Sequence, residues 1–355
     1  MKNIYKNIII GSGLSSFVIN NSLKKEFLTI TTSENYLNHL PIRKKLNNFL
    51  KPLSKKFKSR GYYKYILKKS ILHDCLIHGG NTNLWGGICD ISILKKKNFK
   101  NIIFFKKISI NNTGSFSSNK NYYQMQSKNN NIFNCSKYFK NLIYGHLISF
   151  KSLKKNLIEL TVKKNKISKY YCENLILAIN TVQLIELLIN SGVIKDRDII
   201  TLNECKFQTK ITLFRKFIHF INRKNQNVIG YTISGIIKHG LGLQKNFNNF
   251  FFQLLNKIPL YYHQIFYKKK NLASYIFKMK NNSIEEISDQ TDKDFGKSIH
   301  YYNLKINQKN INKILKKINK NIYGVSAPFL SNVNPGPISN NLINKSIETS
   351  KKLNV

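Results

Sequence analysis

The N-terminal segment contains the feature that most restricts the fold, a glycine turn between a strand pattern and a helix pattern. Residues 4–10 have a strand pattern, residues 11–16 have the sequence GSGLSS, and a helix pattern runs from Leu14 to Lys25. A second strand pattern, Phe27 to Thr32, follows at once. This order predicts a βαβ unit with the G-x-G-x-x-G turn of dinucleotide-binding proteins. Ser16 replaces the third glycine and is small enough for contact between helix and strand.

Each glycine of this turn has a predicted role. Gly11 permits the tight turn, and Gly13 lets the backbone approach a pyrophosphate at the start of the helix. An acidic residue is expected about 20 residues later, where it binds the ribose hydroxyls. Glu34 lies near that distance, and the threonines at 31–32 are the alternative. An ordinary glycine turn is the simpler interpretation, which the strand–turn–helix order disfavours.

The net charge of +43 suggests a polyanion partner, but the residues behind it do not favour base recognition. Almost every positive charge is lysine, and the lysines are spread along the chain. Recognition of base edges favours arginine, whose planar fork matches guanine. We therefore expect a solvated lysine-rich surface and no specific nucleic-acid partner.

The sequence has no recognisable targeting or membrane segment. The first apolar run leads directly into glycines, and no stretch reaches the roughly 18 apolar residues of a membrane span. The five cysteines form no CxxC pair, which indicates neither a metal site nor a disulfide framework. We expect a cytoplasmic protein with free thiols and no bound metal.

A second glycine-rich segment covers residues 78–87, with the sequence HGGNTNLWGG. Glycine allows close approach of the backbone to a ligand, while asparagine and threonine provide hydrogen bonds. A surface loop would explain the glycines, but it would not explain the only tryptophan of the chain. The segment predicts a loop that packs against a flat polar ligand.

This segment resembles the flavin loop of the glucose–methanol–choline (GMC) oxidoreductases, in which a GGxSxxWGG pattern is typical. Some relatives attach the flavin covalently through a histidine just before the tryptophan, and Leu84 occupies that position here. The resemblance therefore implies non-covalent FAD as the cofactor.

The middle of the chain resembles the same family. Residues 174–179 have a continuous apolar strand pattern that includes Ala178, and the helix pattern from Thr181 to Asn190 is closed by Gly192. The family strand ends in glycine where this chain has Asn180.

The C-terminal part resembles the closing segment of the family. A strand pattern from Ile322 to Ser326 is followed by the Asn334-Pro335 turn and by a helix pattern from Ser339 to Lys352. In the family this segment passes under the flavin ring, and the asparagine of the turn faces the substrate.

Two residues carry the implied chemistry. Family members have a catalytic histidine shortly before the closing segment, and His300 lies in that window. The resemblance implies that His300 acts as general base and that Asn334 hydrogen-bonds the substrate oxygen. The Gly-Thr-Cys sequence that normally follows the histidine is absent.

The resemblance also implies which residues bind the cofactor. These predicted cofactor-binding residues come from all four segments: Gly11, Ser12, Gly13, Leu14, Ser15, Ser16, Glu34, Gly79, Gly80, Asn81, Thr82, Asn83, Trp85, Ala178, Ser326, Asn334 and Pro335.

The predicted fold class is α/β, with two domains. A Rossmann-like FAD/NAD(P)-binding domain with a central parallel sheet is assigned to residues 1–35, 70–92, 132–205 and 296–355. A smaller α+β substrate domain with an antiparallel sheet is assigned to residues 206–295, with parts of 36–69 and 93–131.

The predicted function is oxidation of an alcohol or sugar-like CH–OH group by an FAD-dependent enzyme of GMC type. Its partner would be a small-molecule alcohol or sugar. One alternative is a degenerate FAD-fold protein without activity, which the missing Gly-Thr-Cys sequence favours. The other is a lysine-rich protein that binds a membrane surface or polyanion weakly, which the aromatic and lysine residues of 261–280 favour.

Overall fold

A computed structural model describes most of the chain. The described ranges are residues 4–32, 62–66, 71–76, 78–83, 88–89, 99, 102–107, 116–118, 123–128, 133–153, 156–212, 228–232, 261–290, 303–306, 309–330 and 338–355.

Strands dominate these ranges. The first ten, in chain order, are β1 (Ile4–Ile10), β2 (Phe27–Thr31), β3 (Tyr62–Ile66), β4 (Ile71–Cys75), β5 (Ile88–Cys89), β6 (Phe104–Lys107), β7 (Phe116–Ser118), β8 (Tyr123–Gln126), β9 (Leu142–Tyr144) and β10 (His146–Ser152). The others are β11 (Ile158–Lys163), β12 (Ile167–Leu177), β13 (Ile199–Thr212), β14 (Val228–Thr232), β15 (Tyr261–Lys280), β16 (Ser283–Gln290), β17 (Asn303–Ile306), β18 (Lys309–Asn310) and β19 (Ile322–Gly324). The α-helices are α1 (Leu14–Asn20), α2 (Thr181–Asn190), α3 (Ile311–Ile318) and α4 (Ile338–Asn354). None of the helices in the described ranges is long and apolar enough to cross a membrane.

A parallel sheet forms the centre of the fold. Its strands lie in the order β9–β2–β1–β12–β19, and every neighbouring pair is parallel. Numbered along the chain this order is 3-2-1-4-5, which is the order of a doubly wound dinucleotide-binding sheet. The carboxyl ends of these strands therefore share one edge, and the order reverses between β1 and β12.

Strand β12 pairs with three strands, one antiparallel and two parallel. Its first part pairs antiparallel with β11, and residues 171–177 pair parallel with β1. The strand is longer than the predicted 174–179 because the antiparallel β10–β11–β12 meander continues into the parallel sheet.

Strands β9 and β10 are separated by Gly145 alone. The Gly145 N–H donates to the Thr31 carbonyl at 2.8 Å, and a Cβ at this position would lie 2.6 Å from Cγ1 of Val162. A side chain here would force Val162 to move; β9 ends on the parallel sheet at this glycine, and β10 starts the meander.

Both faces of the parallel sheet are covered, as parallel sheets require. On one face Ile8 and Leu177 pack in a cluster with Leu184 of α2. On the other face Ile9 packs with Ile19 at the end of α1 and with Leu353 of α4.

A second sheet of seven strands is antiparallel throughout. Its order is β18–β17–β13–β15–β14–β7, and β16 pairs with β15. It includes β17 and β18, which come from the 296–355 segment assigned to the FAD-binding domain. Tyr275 and Phe277 bury their rings in the same cluster as the parallel sheet. The predicted fold class, a central parallel sheet with a separate antiparallel sheet, is confirmed.

Helix α1 ends at Asn20, five residues before the predicted Lys25, and the side chain of Asn20 bonds two other segments of the chain. Its side-chain amide donates to Oγ1 of Thr29 at 2.9 Å and to the Lys140 carbonyl at 2.9 Å. Its side-chain oxygen accepts from the Lys140 N–H at 3.1 Å. Asn20 thus joins α1, β2 and the segment before β9.

Asn20→Ala is expected to lower the free energy of unfolding by about 2 kcal/mol, because the buried Thr29 hydroxyl and the part-buried backbone groups of Lys140 lose their partner. Asn190→Ala is a matched control, since Asn190 ends α2 and makes an exposed bond to the Asn282 carbonyl. We expect the control to change the free energy by less than about 0.5 kcal/mol. Urea unfolding followed by circular dichroism measures both. Equal effects would contradict the role assigned to Asn20.

Candidate dinucleotide-binding site

The ends of three parallel strands meet at the edge where the strand order reverses. Gly11 follows β1 with φ of +104°, and a Cβ on it would lie 2.5 Å from the Ala178 carbonyl oxygen beyond β12. Beyond β19, the Ser326 hydroxyl donates to the Ile179 carbonyl. Only glycine is tolerated at position 11, because the turn passes against the backbone of the neighbouring strand.

Gly13 is glycine for a different reason. Its φ is −81°, which any residue can adopt, and a Cβ on it would have no atom within 4 Å. Gly13 caps α1 without a side-chain hydrogen bond, and the N–H groups of the first helical turn have no intrahelical acceptor. The glycine therefore leaves open space beside backbone donors, which is what a phosphate requires.

Ser16 compensates for the absent third glycine. Its side chain is fully buried, and its hydroxyl donates to the Gly11 carbonyl at 2.7 Å. The serine side chain thus joins the first turn of α1 to the first residue of the glycine turn. Leu14 and Ser15 lie beside it in α1, and both are buried.

The two glycine-rich segments pack directly on each other. A Cβ on Gly80, whose φ is +52°, would lie 3.2 Å from Cα of Gly13. The Gly79 N–H donates to Oγ of Ser12 at 3.0 Å across a separation of 67 residues. The sequence patterns predict that both segments bind one ligand, but they do not predict that the segments contact each other.

A buried thiol lies behind this junction. The Thr82 hydroxyl donates to the Gly79 carbonyl at 2.6 Å and lies 3.2 Å from Sγ of Cys135, which is 3.3 Å from the Ser12 carbonyl. Burial raises the pKa of the Cys135 thiol to about 12, so the group is neutral at physiological pH. Cys135 thus ties both segments together as a weak hydrogen-bonding group. Its sequence surroundings carry no pattern that could have identified it.

Polar side chains at the end of β2 continue the hydrogen-bonded contacts away from the glycine turn. Oγ of Ser12 lies 2.7 Å from Oγ1 of Thr31. The next residue, Thr32, has its Oγ1 3.4 Å from Nδ1 of His146, and Nε2 of His146 lies 3.9 Å from a carboxylate oxygen of Glu186. Sequence reasoning missed His146 and Glu186, because they come from β10 and α2 and meet only through the sheet.

The departure at Asn180 has a structural explanation. Its side-chain oxygen accepts from the Gln183 N–H at 2.9 Å, so it caps α2 where the family has glycine. The hydroxyl of the next residue, Thr181, is buried and has no hydrogen-bond partner among the described residues.

The predicted site residues divide into two groups. The first group lies at this edge or in the segments packed on it, and it comprises the glycine turn, residues 79–82, Ala178 and Ser326. Asn81 is exposed, whereas Thr82 is buried. Asn83 ends a 3₁₀ turn over Gly80–Asn83. The remaining candidates lie outside the described residues: Glu34, Trp85, His300, Asn334 and Pro335.

Comparison with known proteins supports the architecture. No protein-family model matches the sequence, and no curated protein matches it either. Among solved structures the chain is similar to pyridoxine 4-oxidase from Mesorbium loti, with a TM-score of 0.51 and 8% sequence identity. The match covers 98% of this chain and 99% of that chain, so the likeness extends over both sheets. At this identity the likeness is one of fold: the chain has the fold of that oxidase.

Proposed function

We propose that this protein is an FAD-dependent oxidoreductase of GMC type that oxidises a CH–OH group of a small alcohol or sugar. The observation that carries the proposal is the junction of the two glycine segments at the reversal of strand order, with open space in front of Gly13. Ligands of doubly wound sheets bind at this position. The solved oxidase of the same fold supports the class of reaction.

The residues of this edge fit a dinucleotide. The open position at Gly13 and the first N–H groups of α1 suit a pyrophosphate, because they offer donors and exclude side-chain bulk. The buried Thr181 hydroxyl offers a further polar group at the start of α2. We assign the turn at 11–16, the 79–83 segment, Ala178 and Ser326 to binding of FAD, which is held without a covalent bond because Leu84 replaces the attaching histidine.

The remaining assignments follow the family resemblance. Trp85, Asn334 and Pro335 are assigned to the flavin side. A bound flavin supplies the redox chemistry by accepting the hydride of the substrate carbon. His300 takes the hydroxyl proton of the substrate, and Asn334 hydrogen-bonds the same oxygen and fixes its orientation.

The purified protein is expected to be yellow and to release FAD on treatment with acid or heat. Absorption near the flavin maxima and chromatography of the released compound measure this. A colourless protein that takes up no added FAD would contradict the proposal. Flavin that remains with the precipitated chain would contradict only the non-covalent attachment.

Gly13→Val should abolish FAD binding while leaving the thermal unfolding midpoint close to that of the wild type stripped of FAD, because bound FAD itself stabilises the holoprotein. The branched side chain enters space that is free in the protein but required by the pyrophosphate. Gly11→Val is the contrasting variant, since its side chain would meet the Ala178 carbonyl and should destabilise the fold itself. Flavin content and differential scanning fluorimetry measure the two effects. Wild-type FAD content in folded Gly13→Val would refute the pyrophosphate assignment.

His300→Ala and Asn334→Ala should each retain FAD but slow its reduction by substrate. Loss of a general base lowers a rate by roughly a hundred- to ten-thousand-fold, whereas loss of one neutral hydrogen bond costs about tenfold or less. Anaerobic bleaching of the flavin by a panel of alcohols and sugars gives the rates. If no alcohol bleaches the wild type, the protein is a non-catalytic relative. If His300→Ala reacts as fast as wild type, the base is a different residue.

A further inference from the structure

Lysines are distributed unevenly around the parallel sheet. Lys25, Lys140 and Lys320 each lie two residues before a strand, namely β2, β9 and β19. Because neighbouring strands of this sheet are parallel, the three positions share the edge at the amino ends of the strands. This edge is opposite the one that holds the candidate dinucleotide site.

The carboxyl edge of the same sheet has a different composition. An exception is the turn between β11 and β12, where the side chain of Lys164 lies against Gly145. The strands themselves and the turns that follow them contain no lysine over residues 7–23, 27–32, 141–150, 174–194 and 321–330. A lysine-rich composition alone would supply both edges, so the fold separates the charge from the candidate site.

The last turns of two helices enlarge the basic surface. Helix α3 ends with Lys316 and Lys317 shortly before β19, and α4 has Lys351 and Lys352 in its last turn. The side-chain oxygen of Asn354 accepts from a backbone N–H of the segment before β2 at 2.9 Å, which fixes the end of α4 at this edge. We call the lysines at 24–25, 140, 316–320 and 351–352 the basic end.

Few carboxylates oppose this charge. Helix α3 and β19 contain none, and α4 contains only Glu348, which pairs with Lys352 at 2.9 Å. Glu26 and Glu173 lie at the same edge, and Glu173 pairs with Lys6 at 2.7 Å. Four strand spacings of about 4.8 Å make the edge roughly 19 Å wide, and its net charge is positive.

Lys316 shows how closely the cations approach each other. Its ammonium group donates to the Lys320 carbonyl and lies 4.0 Å from the centroid of the Tyr323 ring. Burial lowers the pKa of Lys316, and the positive charges of Lys352 and Lys345 lower it further. Lysines of α3 and α4 are therefore close enough to repel each other, and an anion bound here would relieve that repulsion.

The side chains of the basic end fit an anionic membrane better than a nucleic acid. Every cation of the basic end is a lysine, which lacks the planar fork with which arginine reads bases and binds phosphates. The Tyr323 ring is covered by Lys316 and is not available to stack on a base. Ile4, at the amino end of β1, is 53% exposed and provides an apolar contact at the same edge.

We propose that the basic end is a docking surface for a membrane that contains anionic lipids. Each lysine close to such a surface increases the affinity about fivefold, so a cluster binds where a single lysine does not. The candidate dinucleotide site lies at the other edge, about 20 Å away along the seven residues of β1, so docking leaves it uncovered. This inference goes beyond the proposed flavin chemistry and does not depend on it.

The test is flotation of the purified full-length protein with two kinds of vesicle, one of phosphatidylcholine alone and one of phosphatidylcholine mixed with phosphatidylglycerol. The wild type should float with the mixed vesicles only. Salt at about 1 M should release it, because screening shortens the range of the charges.

A triple variant that combines Lys317→Gln, Lys320→Gln and Lys351→Gln removes three exposed charges of the basic end. It should lower the affinity for the mixed vesicles by about tenfold or more. Arginine at the same three positions should retain the affinity, because attraction to anionic headgroups requires the charge and not the lysine itself.

A second triple variant is the matched control. It combines Lys128→Gln, Lys137→Gln and Lys166→Gln, which remove the same charge from exposed lysines outside the basic end. The control should lower the affinity by less than about threefold, since these lysines act only through the net charge. Thermal unfolding of each variant shows that the fold is retained.

Three outcomes would overturn the proposal. Equal losses in the two triple variants would mean that net charge, and not this surface, attracts the vesicles. Flotation with phosphatidylcholine alone would mean that anionic lipid is not recognised. Duplex DNA that binds more tightly than the mixed vesicles, and whose binding the basic-end variant removes, would identify a nucleic acid as the partner.

Discussion

The contact between the two glycine segments is the constraint on which the candidate site depends. The backbones approach closely at Gly13 and Gly80, and the Gly79 N–H donates to the Ser12 hydroxyl, so the contact leaves no room for a side chain at Gly80. A direct contact of this kind leaves little freedom in either segment. The open space beside Gly13 is therefore bordered by rigid backbone, and the N–H donors that a ligand would use are already oriented before it binds.

Buried polar side chains surround this contact and keep the backbone groups satisfied. Thr82 and Cys135 bond the carbonyls on one side, and Thr31 bonds Ser12 on the other. Each of these groups would be costly if left without a partner in an apolar interior. The edge is thus polar where the two glycine segments meet and apolar one layer below, where Ile8 and Ile9 are buried in the core of the sheet.

Much of the fold could be predicted because its signals are local. The turn at 11–16 and the helix Thr181–Asn190 are set by neighbouring residues, and the structure has both. The break at Gly145 could not be predicted, because the excluding atom belongs to Val162 on another strand. The same holds for the site: the glycine segments have a sequence pattern, whereas Cys135, His146 and Glu186 acquire their roles only through tertiary contacts.

The covering of α1 by α4 has a consequence for how the molecule folds. Helix α1 is buried along its whole length, and Asn354 at the end of α4 bonds the Ser22 carbonyl across a separation of 332 residues. Strand β1 likewise finds one of its partners only at residues 171–177. Because the Ser22 carbonyl meets Asn354 only across this separation, a nascent chain leaves α1 uncovered until α4 has been synthesised. Such a topology folds slowly and depends on protection from aggregation during synthesis.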